Sequence, residues 1–385
     1  MSDAFAKAAK LCGELRAWLL NDAYPIWWEV GADHLRGGFF EKINQDGTPV
    51  EAPRRARVQP RQIYAFAAAK TLGWTGPADA AVAHGLDFFL GRYLRPDGLV
   101  RTLVGADGEP KDDSVVLYDQ AFAIYGLAVA YRLTGEARLR DIAVTLRDAL
   151  IAERKHPVAG FEEDSPRVTP LLSNPHMHLF EACLEWDEAG GDAQWRVLAD
   201  EIANLAFSRF VDPKTGGVRE YYDGDWNPAP GVDGRILEPG HQFEWGWLLM
   251  RWGSLAAHPN AIEAALRMIR IGEGPGVDPQ RGVAFFSLLD DMTPHDLSAR
   301  LWAQTERIKA GVLAAELTGD DSWWDVASAG AQGLLKYFDT PVPGLYRDRM
   351  QPDGTFVDEP APASSLYHIV LAIAEFDRAV KARAG

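Results

Sequence analysis

Histidine and glutamate stand three residues apart in Leu237-Glu-Pro-Gly-His241-Gln-Phe-Glu244-Trp-Gly-Trp247, just after a Pro-Gly turn signal. In a first helical turn that spacing places His241 and Glu244 on one face. An imidazole titrates near neutral pH, so with a carboxylate beside it and Phe243, Trp245 and Trp247 around it, the stretch suits proton transfer. The same residues also suit a polar helix start above an aromatic core.

The arrangement recurs along the chain. Chemistry-bearing residues stand at the start of successive apolar-periodic segments: Arg61 and Gln62; Tyr118, Asp119 and Gln120; His176 and His178; His241 and Glu244; Arg300, Trp302, Gln304 and Glu306; Tyr367 and His368. The series Arg61, Asp119, His178, His241, Gln304, His368 repeats with a period of about 60 residues. Several histidines, one arginine and carboxylates suit abstraction of a proton next to a carbonyl. A neutral imidazole would take the proton, and Arg61 or a second histidine would steady the enediolate oxygen. Trp302, beside Gln304 and Glu306, suits stacking on a sugar face. Each residue also has a plainer role open to it: Asp119 as a helix cap, Arg61 as a solvated charge in the run Arg54, Arg55, Arg57, and Trp302 as core. His176 and His178 alternate, so within a helix they cannot face the same way, and one of them is expected to be structural. Their HxH spacing with His241 and Glu244 lacks the HExxH form, and we expect no metal.

The elements that must position these residues follow the same period. Glycine loops recur at Gly38, Gly98, Gly160, Gly217, Gly282 and Gly344, so six units of about 60 residues fill the chain. Each reads as loop, helix, short turn, helix. After an N-terminal helix over 3–21, helices are expected near 60–73, 77–93, 116–134, 137–153, 174–189, 192–209, 241–256, 259–272, 297–317, 321–338 and 364–382. Leu133-Thr-Gly135-Glu and Leu317-Thr-Gly319-Asp carry helix-stop and helix-start signals. Short alternating pieces such as Gly217-Val-Arg-Glu-Tyr-Tyr222 suggest small hairpins in the loops. Twelve helices in six pairs can close into a ring. The expected fold is therefore all-α, an (α/α)6 barrel with short hairpins at the active-site end, forming a single catalytic domain over 1–385. A linear solenoid uses the same pairs, but only a ring brings every polar helix start to one mouth.

Composition narrows the partners. The net charge of −16 argues against nucleic acid, which needs clustered Lys and Arg. Hydrophobic residues make up 47% of the chain and thirteen are Trp, in keeping with a well-packed protein that has an aromatic-lined cavity. Cys12 and Cys183 form neither a disulfide framework nor a metal spacing. No signal-peptide pattern opens the chain and no run of apolar residues is long enough to span a bilayer, so a cytoplasmic protein is expected. Walker, G-x-S-x-G and dinucleotide motifs do not occur, which weighs against NTP use, acyl transfer and hydride transfer. Glycoside hydrolysis would want two carboxylates as the chief actors.

On Arg57-Val-Gln-Pro-Arg61-Gln-Ile-Tyr64, Leu117-Tyr-Asp-Gln-Ala-Phe122, Asn174-Pro-His-Met-His-Leu-Phe-Glu-Ala182, Glu238-Pro-Gly-His-Gln-Phe-Glu-Trp245, Arg300-Leu-Trp-Ala-Gln-Thr-Glu306 and Ser364-Ser-Leu-Tyr-His368, the chain resembles the N-acylglucosamine 2-epimerase superfamily. That superfamily includes mannose isomerases, related aldose–ketose isomerases and cellobiose 2-epimerases. The resemblance implies the same barrel and cofactor-free 1,2-isomerisation or 2-epimerisation of a sugar, and a monosaccharide is the expected substrate. It implies that His241 and His368 are the acid/base pair, that His178 orients the carbonyl end and that Arg61 holds the enediolate oxygen. Glu244 would orient His241 or a sugar hydroxyl, and Trp302 and Glu306 would line the sugar site; Tyr118, Asp119, His176 and Gln304 complete the expected substrate-binding set. The C-terminal Pro360-Ala-Pro-Ala-Ser-Ser-Leu-Tyr-His368 is closer to the mannose-isomerase branch, and no nucleotide loop is seen. The leading expectation is interconversion of unphosphorylated D-mannose and D-fructose through a cis-enediolate, with a sugar 2-epimerase as the alternative. The protein is expected to act as a monomer or homodimer, away from membranes.

Overall fold

The computed structural model describes residues 2–164 and 166–384. Helix α1 (Asp3–Trp18) continues through a wide π turn (Leu19–Ala23) into α2 (Tyr24–Glu29). Pro25 lies at that junction, where its missing N–H removes a regular helical hydrogen bond. The chain then runs through α3 (Val58–Leu72), α4 (Ala78–Arg92), α5 (Leu117–Thr134), α6 (Ala137–Arg154), α7 (Ser173–Glu188), α8 (Ala193–Leu205), α9 (Pro239–Leu255), α10 (Pro259–Glu273), α11 (Leu301–Thr318), α12 (Trp323–Leu335) and α13 (Ala363–Ala384). With α1 and α2 taken as one bent helix, these are the twelve barrel helices.

Six of them form a closed inner ring. Helix α3 packs on α5, α5 on α7, α7 on α9, α9 on α11, α11 on α13, and α13 returns to α3. Each of α4, α6, α8, α10 and α12 lies outside the inner helix that precedes it, and α1 covers α13 and α12. Burial follows this division. Helix α9 is buried without a break from Pro239 to Met250, as a helix enclosed on all sides must be. Outer α10 buries one stripe, with Ala261, Ala265, Met268 and Ile269 inward. Gly135 ends α5 in the left-handed conformation that its place in the sequence signalled.

The loops at the N-terminal ends of the inner helices do more than form local hairpins. The two residues before an inner helix pair antiparallel with the loop of the next unit: Arg54–Arg55 with Leu103–Val104, Leu171–Leu172 with Tyr221–Tyr222, Ile236–Leu237 with Ser287–Leu289, and Ala299–Arg300 with Arg349–Met350. Lys42–Ile43 pairs with Ala361–Pro362 and joins the last unit to the first, so that among the described residues only the step from α5 to α7 lacks such a strand pair. The strand at Ala299–Arg300 is why α11 starts at Leu301 and not at the expected 297.

A repeated side-chain clamp ties the loop to its inner helix at α3, α5, α7, α9 and α11. Gln59 accepts from Phe39 N at 2.9 Å and donates to Phe39 O at 3.0 Å. Gln120 does the same with Val100 and Gln242 with Val218. Gln304 accepts from Ala284 N at 3.1 Å, and in α7 the place is taken by His176, whose Nε2 accepts from Phe161 N at 2.9 Å. A primary amide suits this position because it satisfies a backbone donor and acceptor together. Gln120→Leu should therefore lower the unfolding free energy by roughly 2–4 kcal/mol, the cost of stranding one or two buried backbone groups. Denaturant melts of the variant and the parent check this.

Candidate active site

The helix starts meet in one cavity of about 270 Å³ at the N-terminal end of the ring. Arg61, Tyr118, His178, His241, Glu244, Trp302 and His368 line it, and Arg55, Arg57, Glu238 and Arg300 complete its charged wall. The His178 and His368 rings lie 6.5 Å apart. Trp302 stands between the other pair, 4.9 Å from the His241 ring and 6.0 Å from the His368 ring. It can lie so close to the first turn of α9 only because residue 240 is glycine: a Cβ there would meet the indole at 2.4 Å. A larger hollow of about 910 Å³ opens at the other end of the ring, among the C-terminal halves of the inner helices, but no histidine lines it. The titratable helix starts gather in the smaller one.

The three histidines share deep burial and differ in charge. Burial alone disfavours the imidazolium. At His241 it is outweighed by the carboxylates of Glu220, whose Oε2 is 2.8 Å from Nδ1, and of Glu238 at 3.6 Å, and the pKa rises to about 10. At His178 burial wins and the pKa falls to about 3, although Glu181 lies 3.4 Å from Nδ1. His368 is also held well below the usual histidine range, by burial first and then by the positive charges of Arg61 and Lys309. Its Nδ1 is 2.8 Å from Glu306 Oε1. A carboxylate there accepts the Nδ1 proton and leaves the Nε2 lone pair free.

Arg61 is held by three aromatic rings. Its guanidinium lies 4.0 Å over Phe122, Nη2 donates to the Tyr118 hydroxyl and Nη1 donates to Ser364 O at 3.1 Å. Among the described residues it has no carboxylate partner. The other lining arginines do: Arg55 pairs with Glu41, Arg57 with Asp119 and Arg300 with Asp348. Glu244 is buried with neither carboxyl oxygen hydrogen-bonded. Burial, then the nearby Glu306, pushes its pKa far up, so it keeps its proton at neutral pH.

Four expected site residues stand behind the wall. Gln304 and His176 are clamps facing the loops, and burial lowers the His176 pKa to about 4. Their register is offset from that of the cavity residues, so they do not line it, contrary to expectation. Asp119 reaches the site only through Arg57, which it holds at 2.8 Å. Glu306 acts through His368. Sequence reasoning passed over Glu220, Glu238, Glu181 and Lys309. One signal for Glu220 was present: Glu41, Glu163 and Glu220 each follow a loop glycine by three residues.

Among the described residues three groups bring a histidine and two carboxylates close together: His178, Glu181, Glu244; Glu220, Glu238, His241; and Glu244, Glu306, His368. In each, a carboxylate already bonds the imidazole Nδ1. In the last, the buried Lys309 ammonium lies 2.6 Å from Glu306, where it would repel a cation. The groups therefore suit proton positioning better than metal binding.

The family model of N-acylglucosamine 2-epimerase (GlcNAc 2-epimerase) matches residues 38–372. A Rhizobium meliloti protein named mannose-6-phosphate isomerase is 47% identical over 96% of this chain and 97% of its own length. A D-mannose isomerase from Thermobifida fusca is 27% identical over 88% of this chain and 87% of its own. The structure of cellobiose 2-epimerase from Spirochaeta thermophila superposes with a TM-score of 0.87 at 20% identity, each chain covered completely, so the barrel is shared. No helix among the described residues is long and apolar enough to cross a membrane. With this fold, and a family match over most of its length, the chain belongs to the N-acylglucosamine 2-epimerase family.

Proposed function

We propose that the protein is an aldose–ketose isomerase acting on a free hexose, D-mannose and D-fructose in the first place. One observation carries the reading: two histidines line one small cavity in opposite surroundings, His241 with the Glu220 and Glu238 carboxylates 2.8 and 3.6 Å from Nδ1, and His368 buried near Arg61 and Lys309. His241 gives a proton to the ring oxygen as the C1–O5 bond breaks, and the proton leaving the O1 hydroxyl restores the imidazolium. His368 Nε2 removes the C2 proton of the open-chain aldose, and Arg61 steadies the cis-enediolate oxygen. The proton held by His368 then returns to C1. Isomerisation must also move a hydroxyl proton from O2 to O1. Glu244 suits that exchange, since it keeps its proton and neither of its oxygens is engaged by protein. His178, uncharged, orients the carbonyl end, and Trp302 offers its face to the sugar.

Cavity size supports a monosaccharide: about 270 Å³ lies below the roughly 300–1,000 Å³ typical of ligand pockets. Three of the four lining arginines already have carboxylate partners, and Glu238 and Glu244 share the wall, which favours an unphosphorylated sugar. The same four arginines, together with the name of the Rhizobium relative, support a second reading in which a hexose 6-phosphate is the substrate. We place the protein in the cytoplasm, a reading supported by two buried free cysteines that suit a reducing compartment.

Incubation with D-mannose should yield fructose, while D-mannose 6-phosphate should turn over far more slowly; the reverse preference would establish the phosphorylated substrate. Glucose formed from mannose without early fructose would mark an epimerase and overturn the isomerase reading. His241→Asn and His368→Asn should each lower kcat by roughly a hundredfold or more, the usual worth of a general acid or base. Glu220 helps to hold His241 protonated up to about pH 10. In Glu220→Gln that pKa falls, so the alkaline limb of the kcat/KM profile should move to lower pH.

A further inference from the structure

We propose that Lys309 is a positioning residue: by pairing with Glu306 it fixes which nitrogen of His368 carries the proton, and hence which nitrogen is free to act as a base. The proposal rests on the reading above only in taking His368 as the base.

Lys309 is fully buried on α11, three residues after Glu306. Its ammonium lies 2.6 Å from Glu306 Oε2 and 4.0 Å over the Trp247 indole. Among the described residues Glu306 is its one ion-pair partner, and it does not line the cavity, so a bound sugar does not touch it. A lysine is kept in a protein interior only when its charge is compensated. Here the compensation continues toward the site, because the other oxygen of Glu306 holds His368 Nδ1 at 2.8 Å. Ammonium, carboxylate and imidazole form a line from the core of the barrel to the cavity.

Around this line stand Arg61 from α3, His178 and Glu181 from α7, His241 and Glu244 from α9, and Tyr367 from α13. On balance burial leaves the Glu306 carboxyl above its usual range, and Lys309 is the largest influence offsetting that rise. Glu181 is occupied elsewhere, by the Tyr367 hydroxyl and His178. Lys309 is thus the cation nearest Glu306 and the one that favours its ionised form. Without it, burial and the neighbouring carboxyls lead Glu306 to take a proton from solvent. The protonated carboxyl then donates to His368 Nδ1, and the imidazole, still neutral overall, carries its proton on Nε2. The base is capped without any movement of the ring. Raising the pH removes the proton from Glu306 and restores the working tautomer.

The test uses the full chain with Lys309→Met. At pH 7 kcat should fall at least about thirtyfold while KM stays within about threefold. Between pH 7 and 9 the parent profile should be flat, while in Lys309→Met log kcat should climb with a slope near one as Glu306 ionises. Lys309→Arg keeps the charge and should keep the flat profile, and Glu306→Gln should lose the alkaline recovery. Imidazole ¹⁵N NMR reads the tautomer directly: His368 should be protonated on Nδ1 in the parent and on Nε2 in Lys309→Met at pH 7. A uniform loss at every pH, or a parent His368 protonated on Nε2, would overturn the proposal. Should Lys309→Met not fold, the parent spectrum and the Lys309→Arg profile still decide. If the protein proved not to be an isomerase, the NMR measurement would judge Lys309 independently of turnover.

Discussion

Closure of the inner ring is the constraint on which the rest of the molecule depends. Helix α13 must fit between α11 and α3, and when it does, six helix N-termini face one another around a space too small to stay fully hydrated. Every polar group there needs a partner from protein. The glutamine clamps are one answer: Gln59, Gln120 and Gln242 each take a loop carbonyl and amide that the ring would otherwise leave unpaired. The antiparallel pairs between neighbouring loops are another. Together they fix the rim to the helices and hold the cavity-facing side chains at constant register.

Loss of water then becomes the lever for chemistry. Burial acts on His178, His241 and His368 in the same direction, so what separates them is the set of charges each one meets. His241 faces the Glu220 and Glu238 carboxylates, 2.8 and 3.6 Å from Nδ1, and it stays charged. His368 has a carboxylate too, but Lys309 already claims part of it and Arg61 lies near, so the imidazole is neutral. Glu244, crowded by Glu306 and Glu181, stays protonated. An acid, a base and an uncharged carboxyl thus coexist within one small cavity. They arise from placement of the same few residue types, as differing environments allow.

Much of this was legible in the residues. The glycine period and the helical spacing pointed to six pairs, and the polar helix starts pointed to one mouth. His178, His241, His368, Arg61, Glu244, Trp302 and Tyr118 all line the cavity that the fold provides. What could not be read was finer than one helical turn. Gln304 and His176 share the period of the site residues, but a rotation of about 100° per residue turns them toward the loops. Glu220 acts from a loop, where spacing carries little directional information. The pairing of loops across units also lay beyond local pattern, since Leu171 and Tyr222 meet only after the helices between them have packed.

The seam between α13 and α3 has a consequence for synthesis. His368 sits on the last helix to enter the ring, and Arg61, which braces the same cavity, sits on the first. A chain emerging from the ribosome can fold five inner helices into an open arc and still hold no reaction chamber. Until the arc shuts, the rows of apolar side chains on its two free flanks are unsatisfied. Competence therefore comes all at once, and incomplete copies are inert toward sugar while remaining conspicuous to chaperones and proteases.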